Sequence, residues 1–252
     1  MVQLSELVKY TNSLLSVDSF RDYCPNGLQV EGRAEVQRLV CGVTACQALV
    51  DAAVAAKADA LLVHHGYFWK GEAEPITGIK MRRIKALLEA GISLLAWHLP
   101  LDAHPELGNN AQLAEKLGLI IDGCFPGEDA AAVGLRGRLA TPQSAEVFAD
   151  KIEFVLERRP LHIAPNPRPI ETLAWCSGGA QGYIEAAADA GVDAYISGEV
   201  SEQTFHLAQE RGIHYFAAGH HATERYGVQA LAAHLSQKFH INTEFVDILN
   251  PV

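Results

Sequence analysis

Two adjacent histidines, His64 and His65, end the apolar run of residues 60–63 and are followed by a glycine. A short apolar run with such a boundary is typical of a strand that is buried on both faces. The carboxyl end of such a strand is where α/β proteins place their chemistry. Hydrogen bonds to loop backbone would explain this pair equally well, so the rest of the sequence has to decide.

Three further apolar runs end in side chains of the same kinds. Their end residues are His98 and Asp102 after residues 93–97, Glu199 after residues 194–197, and His220, His221 and Glu224 after residues 213–218. Because the carboxyl ends of parallel strands share one edge of a sheet, at least three histidines and two carboxylates are expected to converge there.

Five of these residues form a candidate metal-ligand set: His64, His65, Asp102, His220 and Glu224. A helix that begins near His220 would place His220 and Glu224, spaced i, i+4, on one face. Imidazole and carboxylate donors suit zinc, iron(II) or manganese, and not calcium. Five donors exceed a tetrahedral zinc site and fit two ions with one bridging carboxylate. The expected chemistry is hydrolysis, since two divalent ions about 3.5–4 Å apart can lower the pKa of a water to roughly 7.

His98 and Glu199 are candidates for a catalytic role beside this set. His98 is either a strand-end histidine in a hydrogen bond, or a residue that supports the metals or moves protons near them. When residues 39–65 are aligned with residues 173–199, Glu199 falls on the position of His65. Glu199 could be a general base or a substrate contact. His221 reads more readily as the neighbour of a ligand than as a sixth ligand.

The elements that would position these residues occur twice. Residues 39–65 align without a gap with residues 173–199, and residues 91–96 match residues 212–217. Strands that alternate with helical patterns indicate parallel βαβ units. The sequence therefore predicts an α/β protein with two related halves from an internal duplication, 1–126 and 127–252, and a metal site at the strand ends between them. Residues 122–138, with four glycines and a proline, are the expected join.

Composition excludes several classes of function. The net charge of −10 and the absence of a basic block argue against direct binding to nucleic acid. No apolar run reaches the roughly 18 residues of a membrane span, and the first residues do not resemble a signal peptide. The five cysteines include no CxxC pair and are typical of reduced thiols in a cytoplasmic protein.

Several stretches together resemble the bacterial GTP cyclohydrolase 1 type 2 homologs, also called the Nif-three-like family. These stretches are PNGLQVEG (25–32), VHHGYFWKG (63–71), WHLPLDAHPELGNNAQLA (97–114), SGEVSEQ (197–203) and AGHHATERYG (218–227). The resemblance covers essentially the whole chain. It implies a two-domain α/β protein with two metal ions per chain, a homohexamer, and His64, His65, Asp102, His220 and Glu224 as ligands.

Two interpretations of function stay open. The first is a cytoplasmic hydrolase with two divalent metals (Fe, Zn or Mn) that acts on a small molecule, possibly a nucleotide, with GTP as the candidate that the family name suggests. The second is a metal-binding interaction or regulatory scaffold without fast turnover, since no residue clearly reads a purine. A phosphoesterase that acts on nucleic acid ends is disfavoured by the acidic charge.

Overall fold

A computed structural model describes residues 1–127 and 132–252. The strands are β1 Val2–Gln3, β2 Gly27–Val30, β3 Glu35–Val36, β4 Arg38–Thr44, β5 Ala60–His65, β6 Ser93–Ala96, β7 Leu119–Phe125, β8 Gly134–Gln143, β9 Leu161–Ile163, β10 Ile170–Cys176, β11 Ala194–Ser197, β12 His214–Ala217 and β13 Asn242–Phe245. The helices are α1 Leu4–Leu14, α2 Gln47–Ala55, α3 Gly78–Ala90, α4 Leu99–Ala103, α5 Asn109–Leu117, α6 Ala145–Leu156, α7 Ile184–Asp189, α8 Glu202–Arg211 and α9 His220–Phe239. Short 3-10 turns lie at Val17–Ser19 and Gln181–Tyr183.

The first compact unit comprises Met1–Leu101 and Gly227–Leu249. Its five-stranded sheet has the order β13-β4-β5-β6-β2, in which β13, β4, β5 and β6 run parallel and β2 is an antiparallel edge strand. β5 is apolar throughout before its histidines because it lies in the middle of this sheet and is buried on both faces.

The second compact unit comprises Asp102–Tyr226 and Asn250–Val252. Its six-stranded sheet has the order β7-β8-β10-β11-β12-β9. The central strands β10, β11 and β12 are parallel, and the outer strands are antiparallel to their neighbours. The fully buried rings of Trp175, Phe148 and Phe216 form the centre of the core on one face of this sheet.

The two aligned segments have the same local architecture. The Asp59 carboxylate accepts the backbone N–H groups of Gln37 and Arg38 just before and at the start of β4. Asp193, its counterpart in the alignment, accepts those of Glu171 and Thr172 in β10. The mixed α/β class agrees with the expectation from the sequence, and this shared detail supports an internal duplication.

The compact units do not coincide with the halves 1–126 and 127–252. The first unit ends at Leu101 because α5 and β7, which precede residue 126, belong to the second unit. Residues 240–249 return to the first unit because β13 extends its sheet beside β4. The expected join, residues 122–138, holds the end of β7 and the start of β8, and its residues 128–131 lie outside the described residues.

A histidine pair near the edge of the second sheet makes a pH prediction. His162 stacks on Phe216 and shares a 3.2 Å hydrogen bond with His214. Burial, the neighbouring His214 and Arg159 lower the pKa of His162 to about 4, and burial lowers that of His214. A depressed histidine pKa means that the unfolded chain binds more protons below pH 6.5, so stability falls as the pH falls from 6.5 toward 4.

The expected loss for His162 is about 1–2 kcal/mol, discounted because the ring is partly exposed. Urea unfolding between pH 7.5 and 4.5 measures it. His162→Phe keeps an aromatic ring beside Phe216 and should flatten the profile, whereas a slope unchanged by that substitution would assign the acid sensitivity to other groups.

Within the described ranges, no helix combines the length and the apolar character that crossing a membrane requires.

Candidate metal centre

The first unit brings three imidazoles together at the carboxyl ends of β5 and β6. His64 and His65 are the last residues of β5, and His98 follows β6 by two residues. Each offers a ring nitrogen within 4.8 Å of those of the other two. The parallel register of β5 and β6 places both strand ends at the same edge of the sheet, as the sequence predicts.

Each of these rings has its Nδ1 engaged by a neighbouring group. His64 is fully buried, and its Nδ1 donates to the carbonyl oxygen of Trp97 at 3.0 Å. His65 Nδ1 lies 3.1 Å from the Thr44 hydroxyl at the end of β4. His98 Nδ1 lies 2.7 Å from an Asp22 carboxylate oxygen. Partners of this kind fix the orientation of a histidine ring and direct its Nε2 toward a metal.

Asp22, on the loop before β2, was not identified from the sequence. Its side chain is 4% exposed, and the carboxylate also accepts hydrogen bonds from Asn26 Nδ2 and from the backbone N–H groups of Tyr23 and Leu99. Burial alone would raise the pKa of Asp22, but the hydrogen bonds from His98 and Asn26 and the charge of His98 lower it to about 2. The carboxylate is therefore ionised throughout the physiological range.

Asp22, Cys24 and His98 also lie close enough to one another to hold a cation. The chemistry of the three groups argues against that use. Burial, followed by the charge of Asp22, raises the pKa of the Cys24 thiol to about 12, so in the absence of a metal the thiol is protonated at neutral pH. Four hydrogen bonds already occupy the Asp22 carboxylate. This cluster is better described as the support for His98.

The second unit brings together Asp102, His220 and Glu224. Asp102 and Glu224 each offer a carboxylate oxygen within 4.8 Å of the other. Asp102, in α4, is 7% exposed, and its Oδ1 accepts hydrogen bonds from Asn109 Nδ2 at 2.8 Å and Ser177 Oγ at 3.2 Å. Asn109 and Ser177 were not singled out from the sequence, because an amide or a hydroxyl that supports a carboxylate has no distinctive spacing.

α9 begins at His220, so His220 and Glu224 share its first turn as the i, i+4 spacing predicts. His220 Nε2 lies 3.2 Å from Glu224 Oε2, and His220 Nδ1 lies 2.7 Å from Glu199 Oε1. Burial lowers the pKa of His220, but the hydrogen bonds and charges of Glu224 and Glu199 outweigh burial and raise it to about 9. Glu199 therefore orients His220 as Asp22 orients His98.

Gly178, in the turn after β10, packs directly against Glu224 and His220 of this second set. Its φ of +66° is in the left-handed region, and a Cβ at this position would overlap Glu224 Oε1 and lie 3.1 Å from His220 Nε2. Its backbone N–H donates to the Thr223 hydroxyl, and its carbonyl oxygen accepts from Gly198 N–H. The backbone must pass this close to the carboxylate, which only glycine permits.

The donors fit a divalent transition metal. Three imidazoles in one unit, and two carboxylates with one imidazole in the other, are the ligand types that zinc, iron(II) and manganese prefer. Of the residues predicted from the sequence, the first set contains His64, His65 and His98, and the second set contains Asp102, His220 and Glu224, with Glu199 behind His220. His221 is buried, and its backbone N–H donates to the carbonyl oxygen of Val252.

Comparison with known proteins gives a consistent result. The family model of Duf34/NIF3 (NGG1p interacting factor 3) matches residues 2–251. A protein of Pseudomonas aeruginosa named GTP cyclohydrolase 1 type 2 homolog is 55% identical over 250 residues, which are 99% of each chain. A protein of the same name from Vibrio cholerae is 54% identical over 249 residues, which are 98% of each chain.

The fold has also been seen before. A solved structure described as the structural-genomics protein ybgI, of unknown function, superposes with a TM-score of 0.96 at 50% sequence identity, and the match covers 100% of both chains.

Proposed function

The chain belongs to the Duf34/NIF3 family, and from that premise we propose that it is a hydrolase that depends on two divalent metal ions. Its proposed substrate is a nucleotide or a related purine-like heterocycle. The ligands are His64, His65, Asp102, His220 and Glu224, and the metals are iron, zinc or manganese.

The observation that carries this proposal is the composition of the two donor sets. The first set offers three ring nitrogens within 4.8 Å of one another, and in the second set Glu224 offers a carboxylate oxygen within 4.8 Å of a donor atom of Asp102 and of His220. Polar groups hold these donors in place. His220 and Glu224 follow β12 as His98 and Asp102 follow its counterpart β6, and we propose that the two sets serve one dinuclear centre.

When bound, such ions supply an activated water and polarise a carbonyl, phosphoryl or imine group. The chain's own residues would orient the reactants and move protons. Asn109 and Ser177 hold Asp102 in one orientation, which suits a carboxylate that bridges or anchors an ion. Glu199 stays the proposed proton carrier, since it already contacts His220 and accepts a 3.3 Å hydrogen bond from Gln181. In the overall reaction, water gives its hydroxyl to the electrophilic centre and a proton to the leaving group.

The proposed substrate class comes from the names of the relatives, which refer to a GTP cyclohydrolase. We further propose a small-molecule substrate with no direct binding to nucleic acid, in keeping with the net charge of −10. A homohexamer in the cytoplasm completes the proposal and follows from the family resemblance.

The second candidate function is a metal-binding interaction or regulatory scaffold without fast turnover. The name of the family, NGG1p interacting factor 3, favours it because that name describes an interaction and not a reaction.

A product screen distinguishes the two functions. The full chain is loaded anaerobically with iron(II), manganese or zinc and incubated with GTP and a panel of other nucleotides, with Asp102→Ala as the inactive control. We expect turnover of at least one compound, lowered at least about 100-fold by Asp102→Ala because a supported metal ligand is lost. Two bound ions without any turnover would favour the scaffold.

A further inference from the structure

Two side chains of the loop before β2, Asp22 and Asn26, hold His98 in place by hydrogen bonds. Asp22 accepts His98 Nδ1–H at 2.7 Å, and it also accepts the backbone N–H of Leu99, the residue that follows His98. Asn26 adds a third connection, because its Oδ1 accepts the backbone N–H of His98 while its Nδ2 donates to Asp22. Ring and backbone of His98 are thus held by the same two side chains.

The same contacts determine the tautomer of His98. An ionised carboxylate only accepts hydrogen bonds, so Nδ1 must carry a proton, and in the neutral ring the lone pair is then on Nε2. Trp69 packs edge-on against the ring, with centroids 5.1 Å apart, and its own Nε1–H is anchored on the carbonyl oxygen of Gly66. Rotation of the ring is therefore limited on a second side.

The neighbours of His98 have a matching arrangement. Its ring centroid lies 5.0 Å from that of His64 and 5.6 Å from that of His65. His64 also has its Nδ1 on an acceptor, the carbonyl oxygen of Trp97, and His65 has its Nδ1 beside the Thr44 hydroxyl. Three imidazoles with Nδ1 engaged and ring nitrogens within 4.8 Å of one another form the pattern of a three-histidine ligand face.

We propose that His98 is a third imidazole ligand of the metal centre, through Nε2, and that Asp22 is the positioning residue that aims it. This inference rests on the proposed metal site and deepens it. It replaces the proton-transfer role that the sequence suggested for His98, because an imidazole that binds a metal through Nε2 and donates Nδ1–H to a carboxylate has no site left for a mobile proton.

Cobalt(II) titration of the full chain tests both parts. Visible absorption reports the ligand field, and competition with a chromogenic chelator gives the affinity of each site. We expect His98→Gly to change the absorption band and to weaken one site, and added imidazole to restore both. Asp22→Asn keeps the shape of the side chain without its charge and should weaken the same site by about 10- to 100-fold.

A double variant shows whether Asp22 acts through His98. Asp22→Asn should have less than about a twofold effect in the His98→Gly background, since residues that work through one contact are not additive. Asp59→Asn is the matched control, because Asp59 also accepts two backbone N–H groups but lies at the opposite end of the strands. Its cobalt affinity should equal that of the wild type.

Two results would overturn the inference. If His98→Gly binds two cobalt ions with unchanged affinity and spectrum while His64→Ala loses an ion, His98 is not a ligand and the two-metal proposal still stands. If Asp22→Asn weakens binding equally with and without His98, Asp22 does not act through this histidine. Failure of the hydrolase proposal would appear separately, as intact cobalt binding without turnover.

Discussion

His65→Ala and His220→Ala are each expected to lose one metal ion per chain and to keep the native fold. The two histidines come from different donor sets, so one substitution tests each set. His65 is half-buried and the His220 side chain is 29% exposed, and neither belongs to a hydrophobic core cluster. Removal of His65 should therefore cost little more than about 1 kcal/mol of folding free energy, and removal of His220 about 1–3 kcal/mol because the buried Glu224 loses its partner. A missing ligand weakens its ion severely in both variants.

Elemental analysis after dialysis gives the number of ions per chain, and urea unfolding gives the free energy of unfolding. His206→Ala, an exposed histidine on α8 that lies outside both sets, is the matched control and should keep two ions. If either His65→Ala or His220→Ala retained two ions per chain, the ligand assignment for that set would be wrong.

Gly178→Ala is expected to destabilise the chain and to disable the second donor set at once. A side chain at φ +66° is strained, and the new methyl group would overlap Glu224 Oε1. The backbone cannot easily yield, because hydrogen bonds hold both its N–H and its carbonyl oxygen. We expect a loss of about 1–3 kcal/mol in unfolding free energy, together with the loss of an ion.

Gly191→Ala separates these two effects. Gly191 has a similar φ of +72°, but nothing lies within 4 Å of its added Cβ. This variant should show the backbone strain, about 1 kcal/mol, and retain both ions. If Gly178→Ala and Gly191→Ala bound the same number of ions, the overlap of the new methyl group with Glu224 would not affect metal binding. Glu224 would then not be a ligand.

Periodicity and strand-end position were sufficient to predict much of this architecture. The run of residues 60–63 is buried because β5 is central in a parallel sheet. His64 is the next residue of this strand and is buried for the same reason. The i, i+4 spacing of His220 and Glu224 predicted their shared helical turn, since the period of a helix is a local property.

The groups that support the donors could not be predicted in this way. Asp22 lies 76 residues from His98 in the chain, and Ser177 lies 75 residues from Asp102. Such contacts depend on how β2 pairs with β6 and how the turn after β10 folds, which no local pattern determines. The return of β13 to the first sheet was missed for the same reason, because residues 242–245 alternate in burial at a sheet edge and carry no strong apolar signal.

The most direct test of the proposed dinuclear centre is anomalous diffraction from crystals of the full chain loaded with zinc. We expect two zinc peaks per chain that share a carboxylate, with nitrogen ligands from His64, His65 and His98 and the remaining donors from Asp102, His220 and Glu224. A single peak, or ions confined to one donor set, would contradict it.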